Sequence, residues 1–301
     1  MIESGTHTPD VSAADFRLPP NTALRFERPD PRLAGYITNY HALDSEGPEV
    51  QGSIQYMLPS WPAIRIVLAE NPIHLTIGSR HYEPLPVASL YGTTTRAMRM
   101  TTHGGVTIGA GISPLGWSRL FREPADRFRD RVVPLDTVMD PALVGPLVAT
   151  LAASDRGPAV KAILDDFFLA NMRPPSRHEP ALRALMRLIQ DDRTQDLISA
   201  AERAGIDPSR LRRLSTRHFG FPPKTLLIRT RFVRSFLKMH AAGDYADYSL
   251  IADAYCDASH FLRDAKRFLG TTPRRFMAKD TSYLDATLRA YALVVRGPTN
   301  A

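Results

Sequence analysis

The sequence predicts an α+β chain: a small antiparallel β-barrel with accompanying helices at the N-terminal end, then an all-α part built from two helix-turn-helix units in tandem. Three observations carry this. Short stretches rich in Val, Ile, Leu and Thr, punctuated by Gly and Pro, fill residues 26–112. From residue 115 onward apolar positions recur at helical spacing. The net charge of +7 is also unevenly placed: residues 176–280 hold 20 Lys and Arg against 12 Asp and Glu, whereas residues 1–175 hold 16 against 18. Such a split is expected where one part of a chain meets phosphates and the other does not.

Residues 1–24 are polar and mixed and read as a loose arm. Residues 63–68 (AIRIVL), 73–77 (IHLTI), 88–91 and 106–112 have strand composition. Turn signals stand at Asn71-Pro72, Gly78-Ser79, Gly92, Gly104-Gly105 and Pro114. Arg96, Met98, Met100 and Thr102 alternate with Ala97, Arg99 and Thr101, the pattern of a half-buried strand. Strands at this spacing indicate a small antiparallel barrel or sandwich. Helical periodicity takes over at 115–121, 141–151 and 159–170. The segment MRPPSRHEP (172–180) is a semi-rigid linker, and a helix at 181–190 leads onward. With 301 residues, the chain divides into an N-terminal domain (1–171), the linker (172–180), a helical domain (181–280) and a helical tail (281–301).

Within the helical domain Leu197, Ala200, Ala201 and Ala204 share one face of a short helix. Gly205 supplies the stop, Asp207 a cap for the next helix, and Pro208 its first position. In that second helix Leu211, Leu214 and Phe219 point inward, and Ser209, Arg210, Arg212, Arg213, Thr216 and Arg217 stay outside. Residues 223–241 read as one uninterrupted helix of roughly 27 Å. The pattern then repeats, with a helix through Leu250, Ile251 and Ala254, a break at Tyr255-Cys256-Asp257, and a helix at 259–269. The units end alike, in HFGFPPK and RFLGTTPRR. Adjacent turns of a DNA major groove lie about 34 Å apart, so the spacing suits two helices entering successive grooves of one duplex.

The stretch 197–278 resembles the tandem helix-turn-helix domain of AraC/XylS-type transcription regulators, on AGIDPSRLRRL, GFPPK and YCDASHF…KRFLGTTPRRF. Ser215 and Ala265 stand where that family usually places a buried aromatic, and Ala254 where a turn glycine is usual. Ser249 and Leu250 replace its usual apolar-alanine pair. The N-terminal half resembles the cupin-like sensing domain of some of these regulators, on YGTTTRAMRM (91–100), GAGISPLGW (109–117) and FRDRVVPLD (128–136). The resemblance implies a regulator of double-stranded DNA, activator or repressor, and the single cysteine fits a reducing, cytoplasmic setting. The resemblance also implies a barrel that takes a small-molecule effector and pairs protomers into a homodimer, and contact with RNA polymerase where the regulator activates.

Charge and shape assign base contacts to Ser209, Arg212, Arg213 and Thr216. The resemblance adds Ser259 and Arg263. A bidentate arginine–guanine pair discriminates by roughly 1–3 kcal/mol. Arg217, Lys224, Arg229, Arg231, Lys266, Arg267, Arg274 and Arg275 are assigned to phosphates, which set register without reading sequence.

Other chemistries are scarce. No apolar run nears the roughly 18 residues that span a bilayer, and the N-terminus shows no secretory pattern. The single cysteine, Cys256, makes no disulfide framework or cysteine-rich zinc site. His74, His81 and Glu83 are the nearest approach to a metal site but lack the His-x-His pair of metal-binding cupins. Phosphate loops and nucleophile elbows are absent, so neither catalytic residues nor a cofactor are assigned. Met98, Met100, Trp61 and Trp117 read as packing residues and His260 as structural. A tail helix at 282–295, with Leu284, Leu288 and Tyr291 on one face, reads as packed on its own domain. Two alternatives stay open: a cupin-type metal-dependent enzyme fused to a DNA-binding module, and a ligand-independent regulator whose barrel only dimerises.

Overall fold

The computed structural model describes residues 1–69, 72–191, 193–251 and 255–296. Ten strands lie among them: β1 (Thr22–Glu27), β2 (Ile37–Ser45), β3 (Ser53–Met57), β4 (Ala63–Leu68), β5 (His74–Ile77), β6 (Arg80–Tyr82), β7 (Ala88–Tyr91), β8 (Met98–Thr102), β9 (Gly105–Ile112) and β10 (Val132–Pro134). They form a six-stranded sheet in the order β1-β2-β9-β4-β7-β10 and a four-stranded sheet in the order β3-β8-β5-β6, antiparallel throughout. The sheets face one another through Tyr91, Val132 and Val67 on one side and Leu75, Ile77, Met98 and Met100 on the other. Both keep free edges, so the expected barrel is an open sandwich.

Alternation sorts the larger sheet into two faces. Tyr40, Ala42, Ile64, Ile66, Ile108 and Ala110 form one, and it is covered by three helices: α1 (Pro114–Leu120), α2 (Pro141–Ala153) and α3 (Ala159–Asn171). Trp117 and Phe168 are at most 1% exposed there, each contributing about 1.5–3 kcal/mol by burial. Asp165 of α3 ties this layer to the sheet, accepting hydrogen bonds from Tyr40 Oη (3.0 Å) and the Asp30 amide (2.8 Å).

Seven further helices follow: α4 (Glu179–Gln190), α5 (Leu197–Arg203), α6 (Pro208–Leu214), α7 (Pro223–Ala242), α8 (Ala258–Leu269), α9 (Pro273–Met277) and α10 (Ser282–Tyr291). Their cores take in residues from the sandwich. Tyr36 and Leu115 pack with Leu182, Leu185, Leu211 and Phe219, and Leu58 packs with Phe232, Phe236, Phe261 and Phe268. At the linker the Tyr36 hydroxyl donates to Glu179 Oε1 (2.6 Å), and Arg183 Nη2 donates to that oxygen (2.6 Å) and to Tyr36 Oη (2.8 Å). Burial pushes the Glu179 carboxyl up, but the two donated hydrogen bonds outweigh it and its pKa is lowered.

Several expectations shift. The arm at 1–24 is ordered: Ser12 caps a short 3-10 turn over Ala13–Phe16, Phe16 is fully buried, and Gly5 bridges to Arg25. The strand expected from Arg96 begins at Met98, because residues 92–97 are a loop. Ala204 lies past the end of α5 and is exposed. The helix expected through Leu250 and Ile251 is a 3-10 turn at Tyr248–Leu250, and Ala254 lies outside the described residues, as does Asn71. The tail helix packs on two partners: Leu284 joins the cluster around Phe276, while Ala290 and Val294 pack on Phe16, Leu24 and Phe26 of the sandwich.

Candidate nucleic-acid interface

Local sequence builds the first unit. Asp196 opens α5 by accepting from the Ile198 amide (3.0 Å). Gly205, at φ +73°, makes the left-handed turn that a side chain resists. Asp207 then caps α6, accepting from the Arg210 amide at 2.8 Å. Leu197, Ala200, Ala201, Ile206, Leu211 and Leu214 are buried, at most 5% exposed, which holds the pair in a helix-turn-helix. The α6 coil runs on as a π turn through Ser215–Phe219 and stops at Gly220, φ +79°. Ser215 is fully buried, and its hydroxyl donates to the Phe221 carbonyl at 2.6 Å. Phe219 and Phe221 belong to the first unit's core, and the Trp61 ring stands edge-on to Phe219.

The second unit repeats the capped basic helix with its punctuation. Asp257 caps α8 through the His260 amide (2.7 Å), and Gly270, φ +78°, ends it. Ala265, like Ser215, is fully buried; the rings of Phe232, Phe261 and Phe268 surround it. Tyr255 donates to buried Asp264 Oδ2 at 3.0 Å, and the His260 ring stands edge-on to Tyr255.

Ser209, Arg212, Arg213 and Arg217 are exposed on the first unit and Thr216 is half-buried. On the second, Ser259, Arg263, Lys266 and Arg267 are exposed, as are Lys224 at the start of α7 and Arg274 and Arg275 on α9. Arg217 Nη2 donates to the Arg122 carbonyl at 2.8 Å. Arg231 is half-buried with its guanidinium over the Tyr255 ring.

Arg229 departs from its assignment to phosphate. It is 3% exposed, its Nε donates to the Thr94 carbonyl at 2.9 Å, and its guanidinium lies 4.6 Å from the centre of the Trp61 ring. Burial pushes it down to about 10, which leaves it charged at neutral pH. It is a tether between α7 and the sandwich, facing away from solvent.

Thr94 belongs to a loop on which both units rest. A Cβ at Gly220 would meet Thr93 Oγ1 at 3.2 Å, so the end of the first unit's second helix abuts that residue. The Ala97 amide donates to the carbonyl of Phe268, in the last turn of α8, at 2.7 Å. The loop is itself braced. Thr95 donates through its amide (2.5 Å) and hydroxyl (2.7 Å) to Asp130, and the Asp130 amide donates to the Thr93 carbonyl (3.0 Å). Gly92 is required here, since a Cβ would meet the Phe128 carbonyl oxygen at 1.8 Å. Sequence reasoning missed this loop because residues 91–100 also suit a strand.

Within the π turn His218 is 7% exposed, and neither ring nitrogen has a partner among the described residues. Burial, then Arg217 and His178, push it down to about 4; burial and nearby arginines lower His178 as well. Elsewhere His74 pairs with Glu83 at 3.1 Å and His81 with Thr76 Oγ1 at 3.1 Å. Three metal-binding groups do not gather anywhere among the described residues. No described helix is long and apolar enough to cross a membrane.

These elements define a class of architecture: an antiparallel β-sandwich locked to a helical array that carries two capped, basic helices. No family model and no curated protein matches the chain. Among solved structures it is similar to ToxT from Vibrio cholerae, at 10% identity and TM-score 0.46 over 86% of this chain and 98% of that one. A ToxT structure with bound unsaturated fatty acid gives 11% identity and TM-score 0.46, over 86% and 96%. The AraC-like transcriptional activator CuxR gives 12% identity and TM-score 0.24, over 78% and 90%.

Proposed function

We propose that the protein is a sequence-specific regulator of transcription that binds double-stranded DNA and answers to a small effector in its N-terminal sandwich. The observation that carries this is the matched pair α6 and α8. Each opens on an aspartate cap, closes at a left-handed glycine (α6 after its π turn), and presents exposed Arg and Ser side chains beside a buried apolar face. Arg212, Arg213, Ser209 and Thr216 read base edges from the first helix, and Arg263 and Ser259 from the second. Arg217, Lys224, Arg231, Lys266, Arg267, Arg274 and Arg275 hold phosphates. Domain limits near residues 171 and 181 separate sensing from reading. The protein is not an enzyme; it acts in the cytoplasm, and pairing through the sandwich and contact with polymerase complete the regulatory role.

The shared loop supplies the coupling. Residues 92–97 touch the ends of both reading helices, so a shift of this loop changes their relative placement. Two helices reach successive grooves only at one mutual spacing. The test is equilibrium binding of the full-length protein to genomic fragments under excess random competitor. Retention of a subset of fragments, with affinity falling steeply as salt rises, is the expected result. Uniform weak binding to every fragment, or none, overturns the reading.

A further inference from the structure

The second helix of the first unit borders a cluster of positive charge that the helical units alone do not account for. Arg210, Arg213 and Arg217 follow one another at spacings of three and four, so they share one flank of the coil that runs from α6 into the π turn. Ser209, Arg212 and Thr216, each one residue earlier, form the neighbouring stripe, turned by about 100°. The linker lies beside the first flank. Burial, then the charges of Arg177, Arg210, Arg213 and Arg217, lower the pKa of His178, so guanidinium groups of the linker and of the helix crowd one imidazole. The sandwich closes a third side, where Arg217 Nη2 donates to the Arg122 carbonyl at 2.8 Å.

The junction is braced. Arg173, at the start of the linker, donates from Nε to the Arg119 carbonyl (3.1 Å) and from Nη2 to the Ser118 carbonyl (3.3 Å), so its guanidinium caps the last turn of α1. Its amide donates to the Arg119 carbonyl as well, at 3.0 Å. Little counter-charge faces the cluster. Glu179 is spent on Tyr36 and Arg183, and Glu123 lies beside Arg173. Among the described residues the side chains of Arg122, Arg177, Arg210 and Arg213 make no hydrogen bond or ion pair. Arg122, Arg177 and Arg213 are exposed, and Arg210 is half-buried. Like charges gathered without partners repel one another and work against the compact state. A run of phosphates reverses that cost.

We propose that the linker and the end of α1 extend the DNA-binding surface, with Arg210, Arg177 and Arg122 holding phosphates of the strand beside the groove that the first unit enters. The inference rests on the DNA-binding reading above and adds contacts from outside the helical units. Sizes give the geometry. A helix with its side chains is about 10–12 Å across and the major groove about 12 Å wide, so a helix seated there has phosphates along each flank. With Ser209, Arg212 and Thr216 toward the bases, the flank of Arg210 and Arg217 faces one strand, and Arg213 borders both stripes. Arg177 and Arg122 continue that flank. Because α1 packs on the sandwich, a duplex held in this way touches both parts of the chain.

The test uses the full-length protein and two probes, a random-sequence duplex and the duplex that the protein enriches from a random pool. Affinity is measured by fluorescence anisotropy from about 50 to about 200 mM salt. Arg122→Gln, Arg177→Gln and Arg210→Gln each lower the salt slope by about 0.9, and the triple variant lowers it by about 2.7. Base preference stays as in wild type, and hydroxyl-radical protection is lost along one strand beside the segment read by the first unit. Urea midpoints of the single variants match or exceed wild type, because no partner is lost. Arg156→Gln, just past the end of α2, removes an equal charge from elsewhere on the chain and leaves the slope unchanged. The proposal is overturned if the triple variant keeps the wild-type slope, if Arg156→Gln lowers the slope as much as Arg177→Gln, or if the triple variant prefers different bases. An unchanged slope together with tight binding of inorganic tripolyphosphate would make the cluster a small-anion site instead. Selective DNA binding with unchanged slopes removes only this surface. A lowered slope on random duplex with no enriched sequence removes the regulatory reading and leaves the surface.

Discussion

Replacing Arg229 with methionine separates a tether from a phosphate contact. The wild-type side chain is 3% exposed and donates to the Thr94 carbonyl at 2.9 Å, with its guanidinium over Trp61. A hydrogen bond from a charged donor contributes about 1.5–3 kcal/mol, and a desolvated cation–π contact up to about 2 kcal/mol. Against this stands the cost of burying the charge, visible in a pKa pushed down to about 10. Methionine keeps the aliphatic packing and abolishes that cost, so the net loss is about 2 kcal/mol. In a chain of this size that lowers Tm by about 3 °C. The assay is urea unfolding followed by tryptophan fluorescence, in which Trp61 reports the lost cation directly. It is paired with the salt dependence of DNA binding. Arg229→Met should leave the salt slope of binding unchanged, whereas Lys224→Ala should reduce it by about 1. A variant as stable as wild type with a slope reduced by about 1 would refute the tether.

Other substitutions probe separate parts of the structure. His218 titrates at about 4 in the folded chain against 6.5 when unfolded. The unfolded state therefore binds more protons between these values, and stability present above pH 6.5 is lost as pH falls toward 4. About 2 kcal/mol should disappear between pH 7 and pH 5, and urea midpoints should show a smaller loss in His218→Gln. Gly109→Val drives a Cβ to 2.2 Å from the His41 ring and should lower Tm sharply or abolish folding, read by circular dichroism. Tyr255→Phe leaves the buried Asp264 carboxylate without its 3.0 Å donor and should cost about 1–3 kcal/mol, measured by urea unfolding. Ending the chain at residue 281 removes the residues that pack on Phe16, Leu24 and Phe26. Hydrogen exchange should then quicken in β1, whose Leu24 and Phe26 lose those partners.

What was legible in the sequence followed local signals. Residues 63–68 are a strand as their β-branched composition indicates, and the stop at Gly205 and the cap at Asp207 lie where the sequence places them. Long-range partners were not legible. Arg229 meets Thr94 across 135 positions, and nothing in the pattern of α7 marks it as buried rather than basic surface. The turn at Tyr248–Leu250 reflects competition: Asp244 and Asp247 side chains accept from the amides of Ala246 and Ser249 (2.7 and 2.9 Å), and such local bonds draw the backbone out of a helix.

Selection of binding sites from random duplexes tests the gene-control claim most directly, run in parallel on wild type, Arg212→Ala and Arg263→Ala. The expected outcome is one enriched site with two specified segments about 10 base pairs apart, each variant relaxing a different segment. No enrichment, or two variants that weaken every sequence alike while leaving the preferred site unchanged, would contradict reading by paired helices.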